Sequence, residues 1–305
     1  MSRFLVRRFL RTILVLWGVS TIIFIVMHLS GDPVALMLPP DAPRSEIERL
    51  RSTLGLDAPL SMQYVRFLRN LTVGEFGESL RSREPALNLV LERIRPSLEL
   101  ATTAIVIAVV LAVPVGILSA TRPNSGRDLM AMAFILIGQS TPTFFLGIIL
   151  ILIFSVQLGL LPTGGRGTWQ QIVLPSATLA AWAMASIARL TRSAMLEVLR
   201  EDYIRTARAK GLSPRLVLTR HALRNAAVPI LNVIGINFGA LLGGAIVVET
   251  IFSWPGLGRL VVQGIYNRDY PVVQAGVFVI AVGFVLVNTL VDVLCSLFDP
   301  RIRQG

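Results

Sequence analysis

The chain is poor in the residues that carry most protein chemistry. It has one cysteine, Cys295, inside an apolar run, and two histidines, His28 and His221, far apart. That stock supplies neither a disulfide framework nor the ligand spacing of a zinc site, and it leaves the redox compartment unread. Lysine occurs once, as Lys210, followed by Gly211 and Leu212. The G-x-x-x-x-G-K-[ST] loop that cradles nucleotide phosphates therefore cannot be built from this chain, and any ATP-driven step needs another polypeptide. A membrane enzyme would need paired carboxylates or a nucleophile and base set, and none stands out.

What the sequence has in quantity is apolar length. Hydrophobic residues make up 53% of it and the mean hydropathy is +0.68. Six runs read as membrane spans: Phe9 to Leu29, Leu98 to Ala120, Leu129 to Leu161, Ile172 to Ala188, Val228 to Val248 and Val272 to Phe298. The third overshoots a bilayer core of about 30 Å and is interrupted by Gln139, Ser140, Thr141 and Pro142, so a kink is expected there. Arg189 and Arg192 are expected to end the fourth. The Phe4 to Leu29 region has a basic-then-apolar order like a signal peptide, but its apolar part is too long and no small-residue cleavage site follows; it reads as a retained span.

The net charge of +11 arises in particular loops. Four arginines precede or open the first span, Arg122 and Arg127 follow the second, nine basic residues lie from Arg189 to Arg224, and Arg301 and Arg303 end the chain. The short loops on the other side hold only Arg166, Arg259 and Arg268. The positive-inside rule then puts both termini in the cytoplasm. Between Ser30 and Ser97, nine arginines face nine acids, so this external segment is neutral. The charge is a topology signal, and nucleic-acid binding loses its support. Turn signals (Gly31-Asp32-Pro33, Pro39-Pro40, Gly55, Pro59) and helical stretches near Ser45 to Leu54 and Leu60 to Leu71 make this segment a small soluble elaboration, either a seat for a binding protein or a structural collar. The expected organisation is 1–97 for the first span and external segment, 98–298 for the transport core with a cytoplasmic loop at 189–228, and 299–305 for a cytoplasmic tail.

The basic island from Asp202 to Pro229 has local grammar. Asp202 can cap a helix from Tyr203 to Lys210, Gly211 suits the left-handed position that stops it, and Ser213 caps a second helix with Pro214 at its first position. Thr206, Ala207 and Ala209 are small enough to let another surface approach, and Arg205 and Arg208 share a face. Anchoring to anionic lipid heads explains the sign of the charge. It does not require a glycine stop, a Ser-Pro restart and a small-residue helix.

The arrangement resembles the cytoplasmic coupling loop, or EAA loop, of type I ABC importer permeases of the dipeptide and oligopeptide family. The N-terminal RFLVRRFLRTILVLWGVSTIIFIVMHLSGDP, the TPTFFLGIILILIF of the third span, DYIRTARAKGL with HALRNAAVPIL behind it, and ETIFSWPGLGRL with RDYPVVQAG are similar to that family in order, over nearly the whole chain. Arg205, Thr206 and Ala207 stand where the broader importer pattern has Glu-Ala-Ala, which suits the peptide subfamily. The resemblance implies an all-α, six-span permease, similar to the first of that family's two permease subunits, working by alternating access. It implies four partners besides the lipid bilayer: a second, different permease, two ATPases carrying ATP and magnesium, and an external substrate-binding protein. This chain would bind no cofactor or metal. Tyr203 to Lys210 would dock on an ATPase with Arg205 and Arg208 meeting its acids, Gly211 would set the angle, and His221, Asn225 and Pro229 would pass the movement to the fifth span. The expected cargo is short peptides, with glutathione, nickel complexes or haem as alternatives. A self-sufficient secondary transporter, the rival class, predicts inverted repeats or several midplane charges that the sequence does not display.

Further residues stand out within the spans. Gly235, Gly239 and Gly243 form a small-xxx-small ladder suited to helix packing or to a sliding gate. Asn232, Asn237, Asn288 and Asp292 are polar groups at membrane depth and candidates for the pathway. Glu249, Phe252, Trp254, Pro255, Gly256 and Gly258 close the fifth span as a shaped re-entrant loop, a candidate outer gate, although each ring alone reads as an interface anchor.

Overall fold

The computed structural model describes residues 2–29, 43–53 and 57–298. The turn signals at Gly31-Asp32-Pro33, Pro39-Pro40 and Gly55, and the tail 299–305 with Arg301 and Arg303, lie outside the described residues. Among the described residues the chain is helical, with one isolated bridge between Glu78 and Pro85. Five helices are long and apolar enough to cross a membrane, and a bent pair makes a sixth span if it counts as one.

Helix α1 is Ser2–Leu29, α2 is Arg44–Thr53 and α3 is Leu60–Val73, which stops at Gly74 in the left-handed conformation. Helix α4, Ala86–Thr121, has 36 residues and is therefore roughly 54 Å long, more than a bilayer core needs. Helix α5, Gly126–Ser140, and α6, Thr143–Leu150, are bent by more than 40° at the predicted break, where Pro142 brings no N–H and disfavours helix at Thr141. Helix α6 runs on into a π-wound turn, Ile151–Gln157.

Helix α7, Trp169–Val198, corrects the expected stop at Arg189 and Arg192. It passes both arginines because each finds a partner on α5: Arg189 donates to Gln139 Oε1 at 2.9 Å, and Arg192 grips Asp128 with two hydrogen bonds of 2.9 and 2.7 Å. The island helix α8 is Asp202–Ala209. Helix α9 starts at Pro214–Leu216, is π-wound over Val217–Ala222 and α-helical over Leu223–Gly244. The island's second helix and the fifth span are thus one helix, which the sequence divides at Val228. Short helix α10, Ile246–Ile251, and a turn follow, then α11, Leu257–Tyr266, and α12, Tyr270–Phe298. Helix α11 replaces the expected re-entrant loop after Gly256. Its inner side, Leu257, Gly258, Val261 and Gly264, repeats at helical spacing and is buried.

The chain divides into two compact units. The first takes in Ser97–Trp254 and the part of α12 from Phe284. Its main core is a seam of small residues. Ala104, Ala108 and Ala112 on α4 are fully buried at four-residue spacing together with Ala180, Ala183 and Ala188 of α7. Gly116 extends the seam, since a Cβ there would lie 2.7 Å from the Ala188 carbonyl and from Thr191. In lipid no hydrophobic force draws helices together, so close backbone approach through small residues supplies the packing. The second unit takes in Leu5–Pro96 and Pro255–Gly283. Phe76, Ala86, Val90, Leu257, Val272 and Ala275 form its core. The buried Ser79 hydroxyl donates to Asp269 Oδ2 at 2.5 Å, tying the loop after α3 to the start of α12.

Candidate functional site

Helix α8 is amphipathic by design of its spacing. Ile204 and Ala207, three apart, are buried against Ala120, Met195, Val217, Ala222, Ala226 and Ile230 of α4, α7 and α9. The opposite face exposes Tyr203, Arg205, Thr206, Arg208, Ala209 and Lys210. Eight residues make a rod of roughly 12 Å. Ala207 is therefore a seat on the chain's own bundle, which corrects its expected place on the approach surface with Thr206 and Ala209. Asp202 is also corrected: Glu201, in extended conformation, is the N-cap, and Asp202 is the first helical residue. Its carboxylate meets Arg205 at 3.4 Å in a fully solvated pair, an interaction of little weight on its own.

The stop and restart follow the predicted geometry. Gly211 has φ of +77°, and its N–H donates to the Arg208 carbonyl at 3.0 Å. The Ser213 side chain accepts from the Leu216 N–H, with Pro214 at the first helical position. Asn225 Nδ2 then donates to the Tyr203 hydroxyl at 2.9 Å and to the His221 carbonyl at 3.0 Å, stapling α8 to the base of α9. Pro229 lies inside α9 and removes one helical hydrogen bond just above that staple. With the π-wound turn through His221 below it, the base of α9 holds two departures from regular helix between α8 and the membrane.

Gly235 and Gly239 face α12 of the same unit. A Cβ on Gly235 would fall on Val291, and one on Gly239 would lie 2.9 Å from the Phe284 ring. Gly243 is half-buried. The intramembrane polar groups find partners close by. Asn237, 5% exposed, accepts from the Ser186 hydroxyl at 3.1 Å and joins α9 to α7. Asn232 Oδ1 accepts from Cys295 at 3.2 Å. Asn288 turns its amide back to the Phe284 carbonyl, and Asp292 is half-buried on the same helix.

At the far end of the first unit, Glu249, Phe252 and Trp254 are each only 1% exposed. Both rings belong to the core, which corrects their reading as interface anchors. Glu249 accepts from the Ser97 hydroxyl at 2.6 Å, the Trp254 N–H donates to the Glu249 carbonyl at 2.8 Å, and the Gly165 N–H donates to the Phe252 carbonyl at 2.7 Å. Arg166 grips Glu99 beside them through Nε at 2.9 Å and Nη2 at 2.7 Å. Pro255, Gly256 and Gly258 open α11 in the second unit, with Gly256 at its N-cap. Sequence reasoning missed Ser97, Glu99 and Arg166, whose partners are 67 to 152 residues away, and it missed the Ala104 to Gly116 seam although the four-residue spacing was legible.

Spans packed through small residues, with a surface helix stapled to the base of one of them, form an architecture that suits a membrane transport subunit. Residues 112–304 match the family described as the binding-protein-dependent transport system inner membrane component, and residues 1–112 match the N-terminal family of the same membrane component. The chain belongs to that family: it is the membrane permease of an ABC importer, a class that works with ATPase and binding-protein partners. It is 44% identical over 304 residues, 99% of each chain, to the glutathione transport system permease protein GsiC of Escherichia coli strain K12, and equally to that of Shigella dysenteriae serotype 1. In fold it is similar to an inward-facing structure of the MetNI methionine ABC transporter, with a TM-score of 0.58, 21% identity, and 69% of this chain and 96% of that one covered. An amino acid ABC transporter structure with histidines gives a TM-score of 0.52 at 21% identity, covering 70% and 94%.

Proposed function

We propose that the chain forms one half of a heterodimeric pathway that imports short peptides across the cytoplasmic membrane, with a second, different permease beside it. Identity of 44% along 99% of a glutathione permease carries this reading, because glutathione is itself a tripeptide. Two ATPases holding ATP and magnesium bind on the cytoplasmic side, the side that the positive-inside rule favours for both termini. The exposed face of α8 docks on one of them, with Arg205 and Arg208 toward its acids. Closure of the ATPases moves α8 as a rod, and the Tyr203–Asn225 staple carries the motion into α9 and on to Pro229. Gly235, Gly239 and Gly243 keep α9 close to its neighbours. Asn232, Asn237, Asn288 and Asp292 are the pathway candidates, and Glu249, Phe252 and Trp254 are the outer-gate candidates. The segments 1–97, 98–298 and 299–305 act as the first span with its external segment, the transport core with its cytoplasmic loop, and the cytoplasmic tail.

Among peptide cargoes, the relatives' names favour glutathione. The test is uptake in a strain lacking only this chain and then restored, with labelled glutathione competed by di-, tri- and longer peptides. Restoration of saturable uptake, blocked by glutathione or by a narrow set of peptides, is expected. Uptake of every such cargo at wild-type levels without the chain would contradict the proposal.

A further inference from the structure

Where α4 gives way to α5, the chain forms an open cavity of about 450 Å³, large enough for a polar headgroup. Val115, Leu118 and Ala131 make its apolar wall, and Arg122 and Arg127 stand on its rim. Both arginines are exposed, and among the described residues neither guanidinium meets a carboxylate. Asp128, which also lines the cavity, is no counter-ion for them: both of its oxygens are held by Arg192, and one of them also accepts from the Asn124 N–H. The Ser119 hydroxyl lines the cavity too, 3% exposed, and stands beside the Asp128 carboxylate. Two guanidinium groups without a carboxylate partner beside a polar recess call for a ligand rich in negative oxygen. The first turn of the 15-residue α5 adds the positive end of its dipole.

The place of the cavity narrows the ligand. A spanning helix ends at Thr121 and the next begins at Gly126, so the loop between them lies at headgroup level. Leu118, Leu129 and Met130 beside it are 68%, 64% and 75% exposed, an apolar border that a soluble anion would not use. We propose that this cavity binds the phosphate of an anionic phospholipid, held by Arg122 and Arg127, with its acyl chains along Leu118, Leu129 and Met130. The bound lipid then braces the α4–α5 loop directly above the Asp128–Arg192 pair.

The test is native mass spectrometry of the full chain, purified with its transporter and titrated with dioleoylphosphatidylglycerol, dioleoylphosphatidylcholine or inorganic phosphate. One phosphatidylglycerol is expected to bind roughly thirtyfold more tightly than phosphatidylcholine, since each of the two arginines near anionic lipid contributes about 1 kcal/mol. The double variant Arg122→Gln/Arg127→Gln loses that preference, whereas Arg215→Gln/Arg220→Gln, an equal loss of charge elsewhere, keeps it. Equal binding of the two lipids, equal losses from both arginine pairs, or displacement of the lipid by inorganic phosphate would each overturn the proposal.

Discussion

Replacing Gly211 with Val is expected to cut uptake by more than tenfold while the protein still inserts and its partners still hydrolyse ATP. Gly211 holds φ of +77°, a conformation that costs an L-residue about 1–2 kcal/mol and is an outlier for a β-branched one. Nothing lies within 4 Å of the added Cβ position, so the substitution fails through the backbone and not through a clash. The strain is relieved by turning α8 away from its seat, and with it the Arg205 and Arg208 face. Asn tolerates the left-handed region, so Gly211→Asn should keep most uptake. ATP-driven uptake and ATP hydrolysis, measured side by side on both variants, check this: equal uptake by the Val and Asn forms would mean that the turn does not set the lever.

The largest effect on stability is expected at Asp128. Its side chain is 3% exposed, and its partner Arg192 is 27% exposed. Asp128→Ala leaves a guanidinium with no carboxylate and frees the Asn124 N–H in the same stroke. Removing one member of a buried pair typically costs about 3–5 kcal/mol, whereas replacing both members with apolar groups is often neutral. The double variant Asp128→Ala/Arg192→Met should therefore recover much of the loss. Thermal unfolding of the detergent-solubilised protein separates the two, and an Asp128→Ala protein as stable as the parent would show that the pair contributes nothing.

Much of the architecture was legible because the membrane imposes a simple rule: apolar length marks a span. The glycine stop at Gly211 and the Ser213-Pro214 restart were legible because each conformation depends on only a few neighbouring residues. The departures share a cause, which is information held far away in the chain. Helix α7 runs past Arg192 because Asp128 lies on another helix, 64 residues earlier. Phe252 and Trp254 look like interface rings until Gly147 and Gly164 are found against Phe252. Ala207 looks like part of a docking face until Met195 and Val217 are seen to share its cluster. The π-wound turn at Val217–Ala222 had no local signal, since the residues there suit an ordinary helix.

The proposed role of α8 as the receiver of another protein's work is tested most directly by reconstitution. The purified permease pair is placed in liposomes with labelled peptide and the binding protein, with or without the two ATPases, and given ATP or an ion gradient. A permease without its own engine gives uptake only when both the ATPases and ATP are present, and none from a gradient alone. Gradient-driven uptake in liposomes that contain no ATPase would contradict it.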